Sequence, residues 1–272
     1  PTFVILTVLS IYPFVYTLYY SLTNFYYISK DGLDFVGLKN YADLVRNPYF
    51  IRAVINTIKF TVACTLLETV AGVAVAVYVN GLRHFKKTMR TILLLPNLLP
   101  PVTAALIWKI MLSNNYGIIN EFLRFMHIPV FNWFFDTRTA MPVIILIDVW
   151  QCMPFVFLLI YASLQTVPQT LYEASKIDGA NKWHEFRYIT MPCISGAVVL
   201  CLLLRTIDSF RMFDKINILT GGGPANTTAT ITQFIYTYGI KSLKFGYGSA
   251  GAVVMAAIVL LLSIQYIKKS MK

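Results

Sequence analysis

Among the ionisable side chains inside the long apolar runs of this 272-residue sequence, Glu68, Asp148, Arg205 and Asp208 stand out. A charge is costly in an apolar medium, so such residues face a cavity or pair with one another. The chemistry open to them is ion pairing, proton relay between carboxylates, or hydrogen bonding to a polar solute. Asp208 follows Arg205 by three residues on the same helical face, a spacing that by itself makes an ion pair. Counted inward at about 1.5 Å per residue, Asp148 lies roughly 10 Å from the end of its run, Arg205 roughly 12 Å and Asp208 roughly 8 Å. They share a layer with the hydrogen-bonding and aromatic groups Trp150, Gln151, Ser209 and Phe210. Glu68 lies deeper, beside Gly72 and Ala76. Their four-residue spacing of small side chains suits close helix packing, and Gly248, Ala252 and Ala256 repeat it near the C-terminus. Packing is therefore the expected setting of Glu68.

Other chemistry is thinly represented. Gly221, Gly222 and Gly223 precede Pro224 without the lysine of a phosphate cradle, so they read as an irregular turn. Cys64, Cys152, Cys193 and Cys201 form no Cys-x-x-Cys pair and have no His at ligand spacing. No metal site is expected, and the four thiols are expected to be buried small apolar groups. The net charge of +11 is not gathered into a basic stripe with interleaved aromatics, which argues against a nucleic-acid partner.

The elements that must position these residues are apolar and long. Hydrophobic residues make up 57% of the chain and charged ones 13%, far from the roughly 25% charged of soluble domains. Runs at 2–22, 54–79, 92–112, 141–163, 189–213 and 248–267 are each about twenty residues, enough to cross ~30 Å of hydrocarbon. The expected fold class is an all-α, polytopic membrane protein with six transmembrane helices in one domain over 1–272. A soluble helical core does not repeat such lengths six times. The first run lacks the basic leader and small-residue cleavage site of a signal peptide, and Pro13 interrupts it, so it reads as a retained span. Because the sequence opens on Pro1 directly into apolar residues, a native N-terminal segment is expected to precede it.

Lys and Arg divide evenly between the two sides, but one set of loops is much shorter and so denser in positive charge. Placing the basic loop at 83–90 and the tail Lys268-Lys269 inside fits six crossings, with both termini cytoplasmic. The longer segments 23–52, 113–140 and 214–247 then lie outside.

One cytoplasmic segment, 168–188, is too polar for lipid yet strongly patterned. Thr170 and Glu173 have the spacing of a capping box, Gly179 suits the left-handed position after a helix end, and Asn181 can cap a second helix. Leu171, Ala174, Ile177, Ala180 and Trp183 recur at helical spacing, which would leave apolar surface uncovered. Local physics allows either a soluble partner or an interfacial helix lying on headgroups.

Glu173-Ala174-Ser175, Asp178-Gly179-Ala180, Phe186, Ile189 and Met191-Pro192 resemble the EAA loop of binding-protein-dependent ABC importer permeases. Two departures stand out: Ser175 replaces the third small residue, and Gly196 stands where many members have a second proline. Further resemblance runs through Pro96 to Trp108, Gly117 to Asn120, Phe213-Asp214 and Thr220-Gly221-Gly222-Gly223-Pro224-Ala225. It points to the carbohydrate-uptake branch, and within it to the maltose-permease-like first subunit. The resemblance implies that Glu173, Ala174, Ser175, Asp178, Gly179, Ala180 and Phe186 couple the chain to ATPase subunits. It implies a second permease, two ATPase subunits carrying ATP and Mg, an extracellular or periplasmic solute-binding protein, and residence in a bacterial-type inner membrane. It also places the loop of Gly221, Gly222, Gly223 and Pro224 near an outer partner. The layer of Asp148, Trp150, Gln151, Arg205, Asp208, Ser209 and Phe210 offers the hydrogen-bonding groups and aromatic faces a sugar needs, and is a candidate carbohydrate path if those spans line a central cavity. No cofactor on this chain and no enzymatic reaction are implied. A polyol phosphate is an alternative cargo. Two other classes stay open: a proton-coupled secondary transporter using Asp148 and Asp208, in which internal repeats would be common but none is detected, and a membrane scaffold using the same loop.

Overall fold

A computed structural model describes residues 2–27, 33–82 and 84–270; Pro1 and Arg83 lie outside the described residues, as do the side chains of Lys268 and Lys269. The described chain is helical, with a single isolated bridge between Thr23 and Phe35. In order, the helices are α1 (Thr2–Ser21), α2 (Lys39–Arg46), α3 (Pro48–Gly81), α4 (Lys86–Leu98), α5 (Pro101–Met111), α6 (Ile118–Phe125) and α7 (Ala140–Leu164). They are followed by α8 (Gln169–Ile177), α9 (Lys182–Glu185), α10 (Met191–Phe210), α11 (Asp214–Leu219), α12 (Ile231–Ile235) and α13 (Phe245–Ser270).

Among the described residues, four helical stretches are long and apolar enough to cross a membrane: Pro48–Gly81, Ala140–Leu164, Lys182–Phe210 and Phe245–Gln265. A fifth arises if α4 and α5 form one crossing, but they meet at 94°, which corrects the expectation of one straight span over 92–112. The cause is Leu99-Pro100-Pro101. A residue before proline is pushed out of the α region, and Leu99 and Pro100 are both extended, with ψ of 133° and 141°. Pro101 then starts α5 at its first turn, where its missing N–H costs nothing. The apolar part of α1, Ile5–Ser21, is shorter than the other four.

The helices α3 and α7 pack along their lengths and α10 lies against both. Their close approach depends on Gly72: a Cβ there would sit 2.6 Å from Val156 Cγ1 and 3.1 Å from the Phe157 nitrogen. Around that crossing Val73, Ala76, Phe157, Ile160 and Ile194 form one buried cluster. A second gathers Phe60, Ile144, Ile147 and Ile216 near the start of α7, and a third joins Phe50, Phe210, Ile231 and Phe234. Gly248 is also closely packed, 2.5 Å from Gly239 Cα for an added Cβ, whereas Ala252 and Ala256 line an open apolar groove rather than a helix contact.

The segment α9–α10 is continuous through one wide turn, Phe186–Thr190. Pro192 has no N–H to give, and the Met191 N–H reaches back to the Phe186 carbonyl, the i to i−5 bond of a π turn. The expected pair of short helices around a glycine is therefore one short helix, α8, followed by the start of a long one.

Candidate functional site

The polar centre of the bundle joins α3, α7, α10 and α11. Arg205 donates from Nε to Glu68 Oε2 at 2.6 Å and from Nη2 to Oε1 at 3.3 Å, a two-pronged pair in which Glu68 is fully buried. The same Nη2 lies 3.9 Å from Asp148 Oδ2. Lys215, on α11, donates from Nζ to Asp148 Oδ1, and both groups are buried. At the rim, Arg205 Nη1 approaches Asp208 Oδ2 at 3.5 Å, and Arg211 holds the other Asp208 oxygen at 3.1 Å. Buried charges persist only when paired and hydrogen-bonded. Here two carboxylates face two cations in the interior, and one faces one at the rim.

This changes the expected partnerships. Glu68 is not merely beside a packing stripe but is the nearest partner of Arg205, while Asp208 is a weaker, outer partner. Lys215 was not found from sequence because it lies beyond the apolar runs, in a segment read as aqueous. The available signal was its place in the short helix Asp214–Leu219 beside Ile216 and Leu219, both of which are buried. Cys64, Glu68 and Asp148 bring donor atoms within 4.8 Å of one another, a geometry that could suit a cation. Arg205 and Lys215 already supply the two positive charges there, so no net negative charge is left for a metal.

The other members of the layer have separate settings. Gln151 donates from Nε2 to the Leu99 carbonyl at 2.7 Å, capping the bend between α4 and α5. Ser209 is buried, and Phe210 belongs to the cluster with Ile231 and Phe234. Trp150 is half-buried and meets Trp108 edge-on, with ring centroids 5.4 Å apart; Asp208 is exposed. Of the thiols, Cys64 and Cys201 are buried and Cys152 half-buried, but Cys193 is exposed on α10, contrary to expectation.

The loop between α7 and α10 is locally determined. Gly179 has φ +74° and the Ala180 N–H returns to the Ser175 carbonyl at 2.9 Å, which closes α8 in a left-handed cap. Asn181 caps α9 by accepting the His184 N–H at 2.9 Å. The capping box does not form: Pro168 takes the N-cap position and α8 starts at Gln169 without a side-chain cap. Ser175 turns inward, donating to the Tyr172 carbonyl at 3.0 Å and to Glu185 Oε1 at 3.3 Å, so the departure from a third alanine adds a tie between α8 and α9. Phe186 is half-buried against the first cluster, and Ala180 is half-buried. Glu173, Ala174, Asp178 and Gly179 face outward; among the described residues neither carboxylate has an ion pair or side-chain hydrogen bond. Beside them Ile177 is 87% exposed and Trp183 67%, so the loop presents apolar as well as charged groups.

At the opposite end, Gly221 and Gly222 have φ of +62° and +92°, and the Gly223–Pro224 bond is cis. Arg52 donates to the Ala225 carbonyl at 3.1 Å, and Asn56 to those of Asn226 and Ala229, both at 3.0 Å. Gly222 is buried against Ala229 and Gln233, while Gly221 is exposed. The glycine loop is thus tied to the start of α3.

A bundle of long apolar helices around a neutral polar centre, with a rigid amphipathic loop outside it, defines a polytopic membrane protein built to move against or dock onto other chains. The family described as the binding-protein-dependent transport system inner membrane component matches residues 68–267, and the chain belongs to that family, as a transport permease component rather than an enzyme. The chain is 36% identical to the trehalose/maltose transport system permease protein MalF of Thermococcus litoralis, covering 86% of this chain and 79% of that one. It is 32% identical to the probable starch degradation products transport system permease protein AmyD of Thermoanaerobacterium thermosulfurigenes, over 97% and 89% of the two chains. A bacterial alginate ABC transporter, solved in complex with an alginate pentasaccharide-bound periplasmic protein, shares the fold with a TM-score of 0.87 at 21% identity, over 98% of this chain and 90% of that one.

Proposed function

We propose that the chain is one of two related permease subunits that form the translocation path of an ATP-driven, binding-protein-dependent carbohydrate importer. The observation that carries this reading is the loop Gln169–Glu185. It is held rigid from within, yet presents unpaired Glu173 and Asp178 beside exposed Ile177 and Trp183. Such a surface calls for a protein partner. In an importer that partner is the ATPase pair, which holds ATP and Mg while this chain binds neither. The relatives named for trehalose, maltose and starch products support a carbohydrate cargo.

In this reading the bent pair α4–α5 counts as one crossing and α1 as another, giving six, with both termini on the cytoplasmic side of an inner membrane. The glycine loop faces a second permease or a solute-binding protein outside, where the segments 23–52 and 113–140 also lie. Trp150 and Asp208 are the members of the polar layer with surface to offer a solute; Asp148, Gln151, Arg205, Ser209 and Phe210 shape the path from behind. The charge balance at that layer supports an uncharged sugar over a polyol phosphate. A proton-relay reading is weakened by the same pairs, since Asp148 faces Lys215 and Asp208 faces Arg211.

Co-purification from native membranes tests the reading. The wild type is expected to bring down an ATPase whose hydrolysis rises with sugar-loaded binding protein, and Gly179→Val to lose it while remaining folded. A wild type that purifies without any ATPase would overturn the assignment and put a secondary transporter or scaffold in its place.

A further inference from the structure

Where α3 and α7 begin, a cleft of about 610 Å³ opens to the surface, with Arg52, Lys59 and Arg138 on its walls. Lys59 and the Arg138 guanidinium have no ion pair or hydrogen bond among the described residues, and Arg52 reaches only the Ala225 carbonyl. The one acid of the neighbouring segment, Asp136, accepts the Arg138 backbone N–H at 2.8 Å. Three cations therefore converge without a carboxylate to answer them, unlike the neutral centre of the bundle. Mutual repulsion makes this arrangement one that an anion stabilises.

The depth of Lys59 selects the kind of anion. It lies on the exposed side of α3, eleven residues after Pro48, two turns deeper than Arg52 and within the apolar run. A lysine there lays its methylenes along apolar surface and lifts its ammonium toward the headgroup level. Further along the same helix Val62 and Leu66, three and seven residues beyond Lys59 and close to its face, are about half exposed, an apolar ridge that an acyl chain would cover. A soluble acidic segment approaching from water would meet Arg52 and Arg138 but not this ridge.

We infer that the cleft at the start of α3 and α7 is a binding site for an anionic phospholipid, its phosphate held by Lys59, Arg138 and Arg52 and a chain laid along α3. In the orientation proposed above, the site belongs to the outer leaflet of the membrane. Native mass spectrometry after reconstitution of the assembled transporter in nanodiscs tests it. With phosphatidylcholine containing phosphatidylglycerol, the wild type is expected to retain phosphatidylglycerol selectively, and more weakly as salt is raised. Lys59→Gln and Arg138→Gln are each expected to weaken retention by about fivefold, the scale of one surface cation on an anionic headgroup, while Lys59→Arg keeps it. Soluble glycerol phosphate at millimolar concentration is expected not to displace the lipid; displacement would assign the cleft to a free phosphate instead. Wild-type protein with no preference for phosphatidylglycerol over phosphatidylcholine overturns the proposal without recourse to any variant, and so does a preference that survives the double change Lys59→Gln, Arg138→Gln undiminished.

Discussion

The polar centre and the loop Gln169–Glu185 hold their charges in opposite ways. In the centre every buried carboxylate has a cation: Glu68 has Arg205, and Asp148 has Lys215 with Arg205 beyond it. In the loop, Glu173 and Asp178 are exposed and unpaired among the described residues, while Tyr172, Ser175, Asn181 and Glu185 bond inward. Charges that answer one another within a chain fix its own helices. Charges left unanswered on a rigid frame are available to another chain.

If that contrast is right, damage to the centre shows as lost stability, and damage to the loop as lost partnership at constant stability. The largest expected effect is Arg205→Ala, which strands Glu68 and costs about 3–5 kcal/mol, the scale for removing one member of a buried pair. A thermal melt in detergent should fall steeply, and the combined change Glu68→Gln, Arg205→Met should recover much of the loss. Should the double change melt as low as the single one, the pair is not what Arg205 provides. Next is the double-mutant cycle of Asp148→Asn and Lys215→Met, for which a coupling of about 0.5–3 kcal/mol is expected; additive effects would dissolve the link between α7 and α11. Gln151→Leu leaves the part-buried Leu99 carbonyl without its donor, a cost of about 1 kcal/mol that a melting curve resolves.

On the loop the expected stability effects are smaller and the partnership effects larger. Gly179→Ala forces a side chain into left-handed backbone, costing roughly 1–2 kcal/mol, although an added Cβ would meet nothing within 4 Å. Its melt should fall by only a few degrees, less than for Arg205→Ala, while retention of the ATPase drops. Glu173→Gln should leave the melt unchanged within about 0.5 kcal/mol and reduce ATPase retention. A shift in its melt comparable to that of Gln151→Leu would mean that Glu173 serves the fold after all.

How much of this was legible follows from how local each signal was. Gly179 and Asn181 could be read because a left-handed helix end and an N-cap depend on a few adjacent residues. The capping box of Thr170 and Glu173 is equally local, but Pro168 stands two residues before Thr170 and starts the helix earlier. The break at Leu99 was present in the sequence as Pro100-Pro101, yet averaging hydropathy over a span-length window hides a two-residue feature. The link of Glu68 to Arg205 was not legible from depth counts, because α3 runs 34 residues and projects well past a bilayer, so counts from different helix ends share no origin. Lys215 escaped for a related reason: a short helix after a span can fold back into the bundle, and composition does not say that it does.

The continuity of α9 with α10 has a mechanical side. From Lys182 to Phe210 the helix covers 29 residues, roughly 43 Å of rod at about 1.5 Å per residue. Its first turn carries the exposed Trp183, and Arg205 sits near its far end. Pivoting such a rod by only five degrees about one end sweeps the other through roughly 4 Å, more than the span of a hydrogen bond. A small tilt at the loop end would therefore be geometrically large enough to exchange the partners of Arg205.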